Sequence, residues 1–261
     1  MSAVPAALTT AALTIVALMI ATWLLSLAKK NASIVDITWG LGFVCVAWAV
    51  RLRVDGLTGR QNLLVLMTTI WGLRLAGYLF WRNHGQPEDY RYRAMRKHYG
   101  SRFGIVSLVT VFGLQGVLMF VVSLPVQLGQ TRVAPDLGVL AWIGVGVWLI
   151  GLFFESVGDI QLARFKKDPA NAGKVMNIGL WRYTRHPNYF GDSCVWWGIA
   201  LVAAETTVGK FGLIGAALMT FLLVRVSGKA LLERSLKKRK EGYDDYIRRT
   251  SGFFPLPPQK A

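Results

Sequence analysis

The chain has 261 residues, 53% hydrophobic and only 17% charged, with mean hydropathy +0.40 and net charge +16 from 30 Lys and Arg against 14 Asp and Glu. A soluble domain carries nearer a quarter charged residues, and here the apolar residues come in long blocks, which excludes an ordinary soluble globule. Two cysteines in apolar segments and three scattered histidines have no metal-like spacing, so no metal site is expected.

The first block, 4–28, has no charge in 25 residues and suffices to cross a bilayer core of about 30 Å as a helix. It lacks a basic start and is followed by Lys29 and Lys30, so it reads as a retained span and not as a cleaved signal. Further blocks at 37–50, 63–81, 105–128, 137–154, 193–205 and 211–226 bring the count to about seven spans.

Polar groups within or beside these blocks are costly there and are functional candidates. Asp36 opens the second block in "NASIVDITWGLGF". It reads either as a helix N-cap or as a carboxyl at membrane depth, able to hold a proton. Trp39, Gly40 and Gly42 beside it admit a close helix or a flat ring. Arg74 lies inside the third block and needs an anionic partner, either Asp36 or Glu155, or else a cofactor. The stretch "RNHGQPEDYRYRAMRKHYG" that follows is a solvated basic loop, in which Tyr90 and Tyr92 beside Arg91 also suit a heterocycle and its phosphates. In "FFESVGDIQLARFKK", Glu155, Asp159 and Arg164 are spaced as salt-bridged helix decoration or as groups lining a loop-enclosed cavity. "GLWRYTRHPNYFGD" then sets Arg182, Arg185, His186, Asn188 and Asp192 directly against the apolar "SCVWWGIALVAA".

With the N-terminus outside, Lys29, Lys30, the loops 82–102 and 159–192 and the tail share one face. That tail includes Arg225, Lys229, Arg234, Lys237 to Lys240, Arg248, Arg249 and Lys260. The other face keeps only Arg51, Arg53, Arg60, Arg132 and Lys210. Alternate basic loops are the positive-inside pattern of a polytopic protein with a cytoplasmic C-terminus, and they exclude nucleic acid as the reason for the charge. No internal repeat or linker divides the chain, which disfavours common transporter designs. The expected fold is therefore all-α: a single polytopic membrane domain over 1–261.

On these residues the chain resembles the steroid 5α-reductase family, in its bacterial branch. "GLWRYTRHPNYFGD" is similar to the family's Gly-Leu-aromatic and Pro-Asn-Tyr-aromatic-Gly-Glu/Asp signature. "GDIQLARFKKDP" looks like its Asp-containing helix, and "KEGYDDYIRRTSGFFP" like its tail. The likeness is good over 153–255 and looser before. Isoprenylcysteine carboxyl methyltransferases and related membrane methyltransferases, which use S-adenosylmethionine, carry a similar "RHPNYFGD" stretch.

The reductase resemblance implies NADPH in a cavity facing the cytoplasm of a bacterial inner membrane protein, with 1–150 on the substrate side and 151–261 holding the cofactor. Asp159, Arg164 and Lys166 would hold adenosine or phosphates. Tyr183, Arg185, His186, Asn188, Tyr189 and Asp192 would contact pyrophosphate, ribose or nicotinamide, and Tyr243, Tyr246 and Arg249 would close the adenosine side. Arg74, Tyr90 and Arg91 would add cofactor contacts. No Gly-x-Gly-x-x-Gly occurs, so the site is not a Rossmann one. The implied reaction is conjugate reduction of a 3-oxo-4-ene steroid or similar lipid enone, by a monomer in contact with membrane lipid. Related members reduce sterol or enoyl-thioester double bonds. Asp36 would hold the ketone oxygen, beside Trp39. The family's tyrosine position falls on Trp71, which donates an N–H but relays no proton, so Tyr78 or Tyr90 would substitute. Methyl transfer from S-adenosylmethionine is the alternative.

Overall fold

The structure, a computed structural model, describes residues 3–54, 56, 59–132, 137–226, 233, 236–237 and 239–259. Of the basic tail, Lys229, Arg234, Lys238 and Lys260 lie outside them. The described residues are helical apart from turns and one isolated bridge, Thr184 to Ser251.

Helix α1 (Ala3–Lys29) is an uninterrupted apolar run that ends where Lys30 turns to a φ of 50°. Helices α2 (Ile34–Arg53) and α3 (Gly59–Asn83) follow. Helix α4 (Tyr90–Tyr99) starts at Asp89, whose carboxylate accepts the Arg91 N–H at 2.9 Å as an N-cap. Gly100, at a φ of 55°, stops it. A 3₁₀ turn leads into α5 (Phe103–Ser107), a π-helical segment (Leu108–Gly113), α6 (Leu114–Val122) and the short α7 (Leu124–Gly129). Then come α8 (Val139–Lys167), α9 (Pro187–Ala203), α10 (Leu213–Phe221) and α11 (Tyr243–Arg249).

Among the described residues, six stretches are long and apolar enough to cross a membrane: Ala3–Lys29, Ile34–Arg53, Gly59–Asn83, Tyr90–Val122, Val139–Lys167 and Gly209–Val226. The block expected as a further span is α9, only 17 residues long. Its start is the polar "PNYFGD", which shortens the apolar part. Large apolar side chains such as Leu13, Leu66, Val109, Trp142 and Leu149 stand exposed on the long helices, as expected of an integral membrane protein.

The chain forms two compact units. One comprises Met1–Ala141 and Ile199–Gly215, the other Trp142–Gly198 and Ala216–Ala261. In the first, α1, α2, α3, α6 and α7 pack around Phe43, Trp71, Phe112, Leu64 and Met119, all fully buried. Helices α2 and α3 cross at glycines: a Cβ on Gly40 would lie 2.6 Å from the Gly72 carbonyl oxygen, and one on Gly72 2.6 Å from that of Gly40. Small residues permit this approach where lipid supplies no hydrophobic drive for helix association. Glu205 joins the start of α3 to that of α8: it pairs with Arg60 at 2.8 Å and accepts the Gly138 and Ala141 N–H groups at 3.1 and 2.9 Å.

In the second unit, α8 meets α9 along glycines spaced seven apart. A Cβ on Gly151 would lie 2.6 Å from the Gly191 carbonyl oxygen, Gly198 approaches the Gly144 carbonyl equally closely, and Gly158 abuts Pro187. A seven-residue repeat keeps one seam facing the same partner along a helix pair.

Candidate active site

The first unit holds a compact polar centre. The turn between α1 and α2 is stitched to the start of α4: Glu88 accepts the Ala32 N–H at 2.7 Å and two bonds from Arg96 at 2.8 and 3.0 Å, while the Asp89 N–H donates to Ser33 Oγ at 2.7 Å. Burial alone would raise the Glu88 carboxyl, but Arg96 and the Ala32 N–H outweigh it and hold it below the ordinary range.

This stitching brings Asp36, one turn into α2, against α4. The Tyr92 hydroxyl donates to Asp36 Oδ1 at 3.0 Å, and Arg91 Nη2 lies 3.4 Å from Oδ2 while its Nε holds Asp89 at 2.9 Å. On the far side of Tyr92, Gln115 Nε2 donates to the phenol oxygen at 3.4 Å. Tyr92 is buried, and Asp36 keeps 20% of its side chain exposed.

Asp36 is therefore not an N-cap; α2 begins at Ile34 with Ser33 in the cap position. The tyrosine beside it is also not the expected one. Trp71 is fully buried with its ring 5.5 Å from Phe43, and Trp39 meets the same Phe43 edge-on at 5.2 Å. Tyr78 stands between Arg74 and Arg82, each guanidinium 5.9 Å from its ring, one turn away on either side. Tyr90 is 57% exposed. The hydroxyl that meets Asp36 is that of Tyr92, not of Tyr78 or Tyr90. Gln115 was visible as an amide in an apolar run, a signal of the same kind that singled out Asp36.

The second unit gathers a different set. "GLW" is fastened to α8: the Leu180 N–H donates to Gln161 Oε1 at 3.0 Å, and Trp181 Nε1 donates to the Gly158 carbonyl at 3.1 Å. Gly179 sits at a φ of 60° under the Gln161 amide, a conformation that strains any side chain placed there. The following "YTRHP" is sewn to the tail: the Thr184 hydroxyl donates to the Phe253 carbonyl at 2.8 Å, the Arg185 N–H to that of Ser251 at 2.9 Å, and the Leu256 N–H to that of Tyr183 at 3.0 Å.

Arg185, 7% exposed, is committed internally. Its Nε bonds Glu233 at 2.8 Å, Nη2 reaches the same carboxylate at 3.4 Å, and Nη1 donates to the carbonyls of Ile247, at 3.0 Å, and Thr250. His186 Nε2 lies 3.0 Å from Glu233 Oε1, and its ring stacks on Tyr189 with 5.2 Å between centroids. Burial would raise the Glu233 carboxyl, yet bonds from His186 and Arg185 lower it to about 2. Nothing in the basic context of Glu233 had singled it out.

Beside these groups lies a cleft of about 110 Å³, lined by Trp181, His186, Tyr243 and Tyr246, with Lys166 and Lys240 also contributing. Tyr246 donates its hydroxyl to the Trp181 carbonyl, which fixes two of the aromatic walls together. Burial, then the Glu233 charge, pushes the Tyr243 phenol up to about 12. Of the expected cofactor contacts, Lys166, Arg185, His186, Tyr243 and Tyr246 share this cleft. Asp159 and Asn188 pair with each other at 3.2 Å. Asp192 stands in the second turn of α9, Arg164 and Tyr183 are exposed, and Arg249 pairs with Asp245 at 2.8 Å at a separate polar depression with Lys174 and Arg182. Arg74, Tyr90 and Arg91 belong to the first unit.

The volume suits one flat ring and not a whole dinucleotide. Aromatic walls with lysines beside them are the donor set for a purine and the phosphates attached to it, so the residues fit the adenosine end of a nucleotide cofactor.

Comparison with known proteins finds distant relatives. The chain is 22% identical over 264 residues to an uncharacterized protein of Schizosaccharomyces pombe, covering 89% of this chain and 75% of that one. It is 30% identical over 107 residues to human 3-oxo-5-alpha-steroid 4-dehydrogenase 1, covering 41% of this chain and 35% of that protein. It is 35% identical over 81 residues to a probable O-methyltransferase of Ustilaginoidea virens, covering 31% and 27%. The last two matches thus span about a third of those relatives or less. No solved structure matches. The family described as "Protein of unknown function (DUF1295)" matches residues 22–250, most of the chain, and the protein belongs to that family.

Proposed function

We propose that the protein reduces the conjugated C=C bond of a 3-oxo-4-ene steroid, or of a similar lipid enone, with NADPH as reductant. The observation that carries this reading is the Tyr92 hydroxyl held at 3.0 Å from Asp36. A phenol with its proton directed to a carboxylate can transfer that hydrogen bond to a ketone oxygen and stabilise the charge that develops there during conjugate addition. The surrounding spans are apolar, so a lipid ketone could reach these groups without crossing water. The distant likeness to a steroid dehydrogenase points the same way.

On this reading Asp36 holds the Tyr92 proton poised until the ketone oxygen replaces it as acceptor, and Arg91 balances the carboxylate charge. Trp181, Tyr243 and Tyr246 flank adenine, and Lys166 and Lys240 meet phosphate. NADPH, when bound, supplies hydride for the β-carbon of the enone. We place the protein in a bacterial inner membrane, as a monomer with the cofactor side toward the cytoplasm.

The second reading, methyl transfer from S-adenosylmethionine, is favoured by one observation: Arg185, the buried arginine of the shared motif, is engaged by Glu233 and two carbonyls and not open to a phosphate. An adenine cleft serves either cofactor.

Thermal stabilisation of the purified protein by NADPH and by S-adenosylmethionine separates the two, followed by NADPH oxidation with a progesterone-like enone. Tyr92→Phe should lower kcat by about 10²-fold, the loss of a hydrogen bond worth about 2–3 kcal/mol to a charged centre. Stabilisation by S-adenosylmethionine alone, or full turnover in Tyr92→Phe, overturns the proposal.

A further inference from the structure

We propose that Gln115 is a positioning residue for Tyr92, directing the phenol's single proton away from α6 and toward Asp36 and the incoming ketone. The inference rests on the reading of Tyr92 as the ketone's donor.

A phenol has one proton and can accept at its lone pairs. Here the proton goes to Asp36 Oδ1 at 3.0 Å and the Gln115 amide N–H approaches the oxygen at 3.4 Å. With the amide reversed, its oxygen would compete with Asp36 for that proton. The charged carboxylate is the stronger acceptor, which selects the N–H orientation. When a ketone oxygen replaces Asp36 as acceptor, the same N–H stabilises the negative charge left on the phenol oxygen.

The helix is built to present this amide. Residues 103–122 form one helical run, interrupted by the π segment Leu108–Gly113. A π turn holds one extra residue, which rotates everything after it by about 100°. Past it, Gln115 lies three residues from Phe112 and four from Met119, both fully buried, while Leu114 and Val117 are 54% and 63% exposed. Without the extra residue, the amide would leave the inward face.

The test is a double-mutant cycle with one spectroscopic readout. Gln115→Leu should lower kcat for enone reduction about tenfold with KM for the enone unchanged, and should have no further effect in Tyr92→Phe. An equal loss in both backgrounds, or no loss in the wild-type background, overturns the proposal. 3-Fluorotyrosine introduced at position 92 should show a ¹⁹F resonance displaced in Gln115→Leu at neutral pH and returned toward the wild-type position in Gln115→Asn. Asp36, Arg91 and Asp89 also face that phenol but are common to all these variants. An unmoved resonance refutes the Gln115 assignment whatever the enzyme's substrate. Full turnover in Tyr92→Phe, with the resonance displaced as expected, refutes the functional reading and leaves the Gln115 contact standing.

Discussion

Arg185 is where the motif and the structure part company, and Arg185→Ala separates them. As a phosphate ligand, its loss would weaken cofactor binding and leave the fold intact. The structure instead shows its donors tied to Glu233 and to the carbonyls of Ile247 and Thr250, with side-chain exposures of only 8% and 14% for the charged pair. Removing one member of a largely buried pair costs about 3–5 kcal/mol, because the remaining charge stays desolvated. Glu233 keeps His186 at 3.0 Å, so the lower end, about 3 kcal/mol, applies. At 2–4 °C per kcal/mol that corresponds to a fall in Tm of about 6–12 °C. Arg185→Lys should recover little, since an ammonium cannot reproduce the fork. The assay is thermal unfolding of the purified protein, with limited proteolysis of the segment 247–256, which should become cleavable. A variant with unchanged Tm and an intact tail but a tenfold weaker hold on NADPH would refute the clamp and restore the direct contact.

Glu233 adds a pH signature. Its folded pKa, about 2, is depressed below the ordinary 4.5, so its stabilisation is complete above about pH 4.5 and is lost as pH falls toward 2. Tm measured from pH 7 to pH 3 should be flat and then drop in the wild type, with the drop diminished in Glu233→Gln. Gly40→Ala should cost about 1–3 kcal/mol, because α2 and α3 must separate by about 0.8 Å to bring the new Cβ from 2.6 Å to an ordinary 3.4 Å from the Gly72 carbonyl; an unchanged Tm would contradict the crossing described. Glu205→Gln, which keeps the shape but removes the charge facing Arg60, should destabilise by about 1–3 kcal/mol in the same measurement.

The long helices were legible, and so was Asp36 as a carboxylate that needs partners, since both follow from the cost of polarity in an apolar run. Its partner was not: Tyr92 is 56 positions away and meets Asp36 only because Glu88 and Asp89 stitch two turns together. No local pattern encodes that. Tyr78 and Tyr90 looked equally plausible because helix phase alone does not say which neighbouring element a side chain meets. In the second unit, Arg185 and His186 of "RYTRHPNY" share a cleft with Lys166, Tyr243 and Tyr246, which lie far from them in sequence. The pattern could not say that Arg185 would be claimed by an acid 48 positions on. The polar start of α9 showed in its sequence, and so did its shortness as a span.

The cleft's walls are made at very different times. Trp181 receives its partner Tyr246 from 65 positions further along, and Thr184 bonds Phe253 from 69 positions further. During synthesis, at about 5–20 residues per second, the arginine and histidine of the motif wait several seconds before their partners exist. Contacts of such long range also form slowly once they are available. Maturation of this cleft is therefore a late event in biogenesis, and a ribosome stalled short of residue 246 would display an inserted, largely helical chain with the cleft still unwalled.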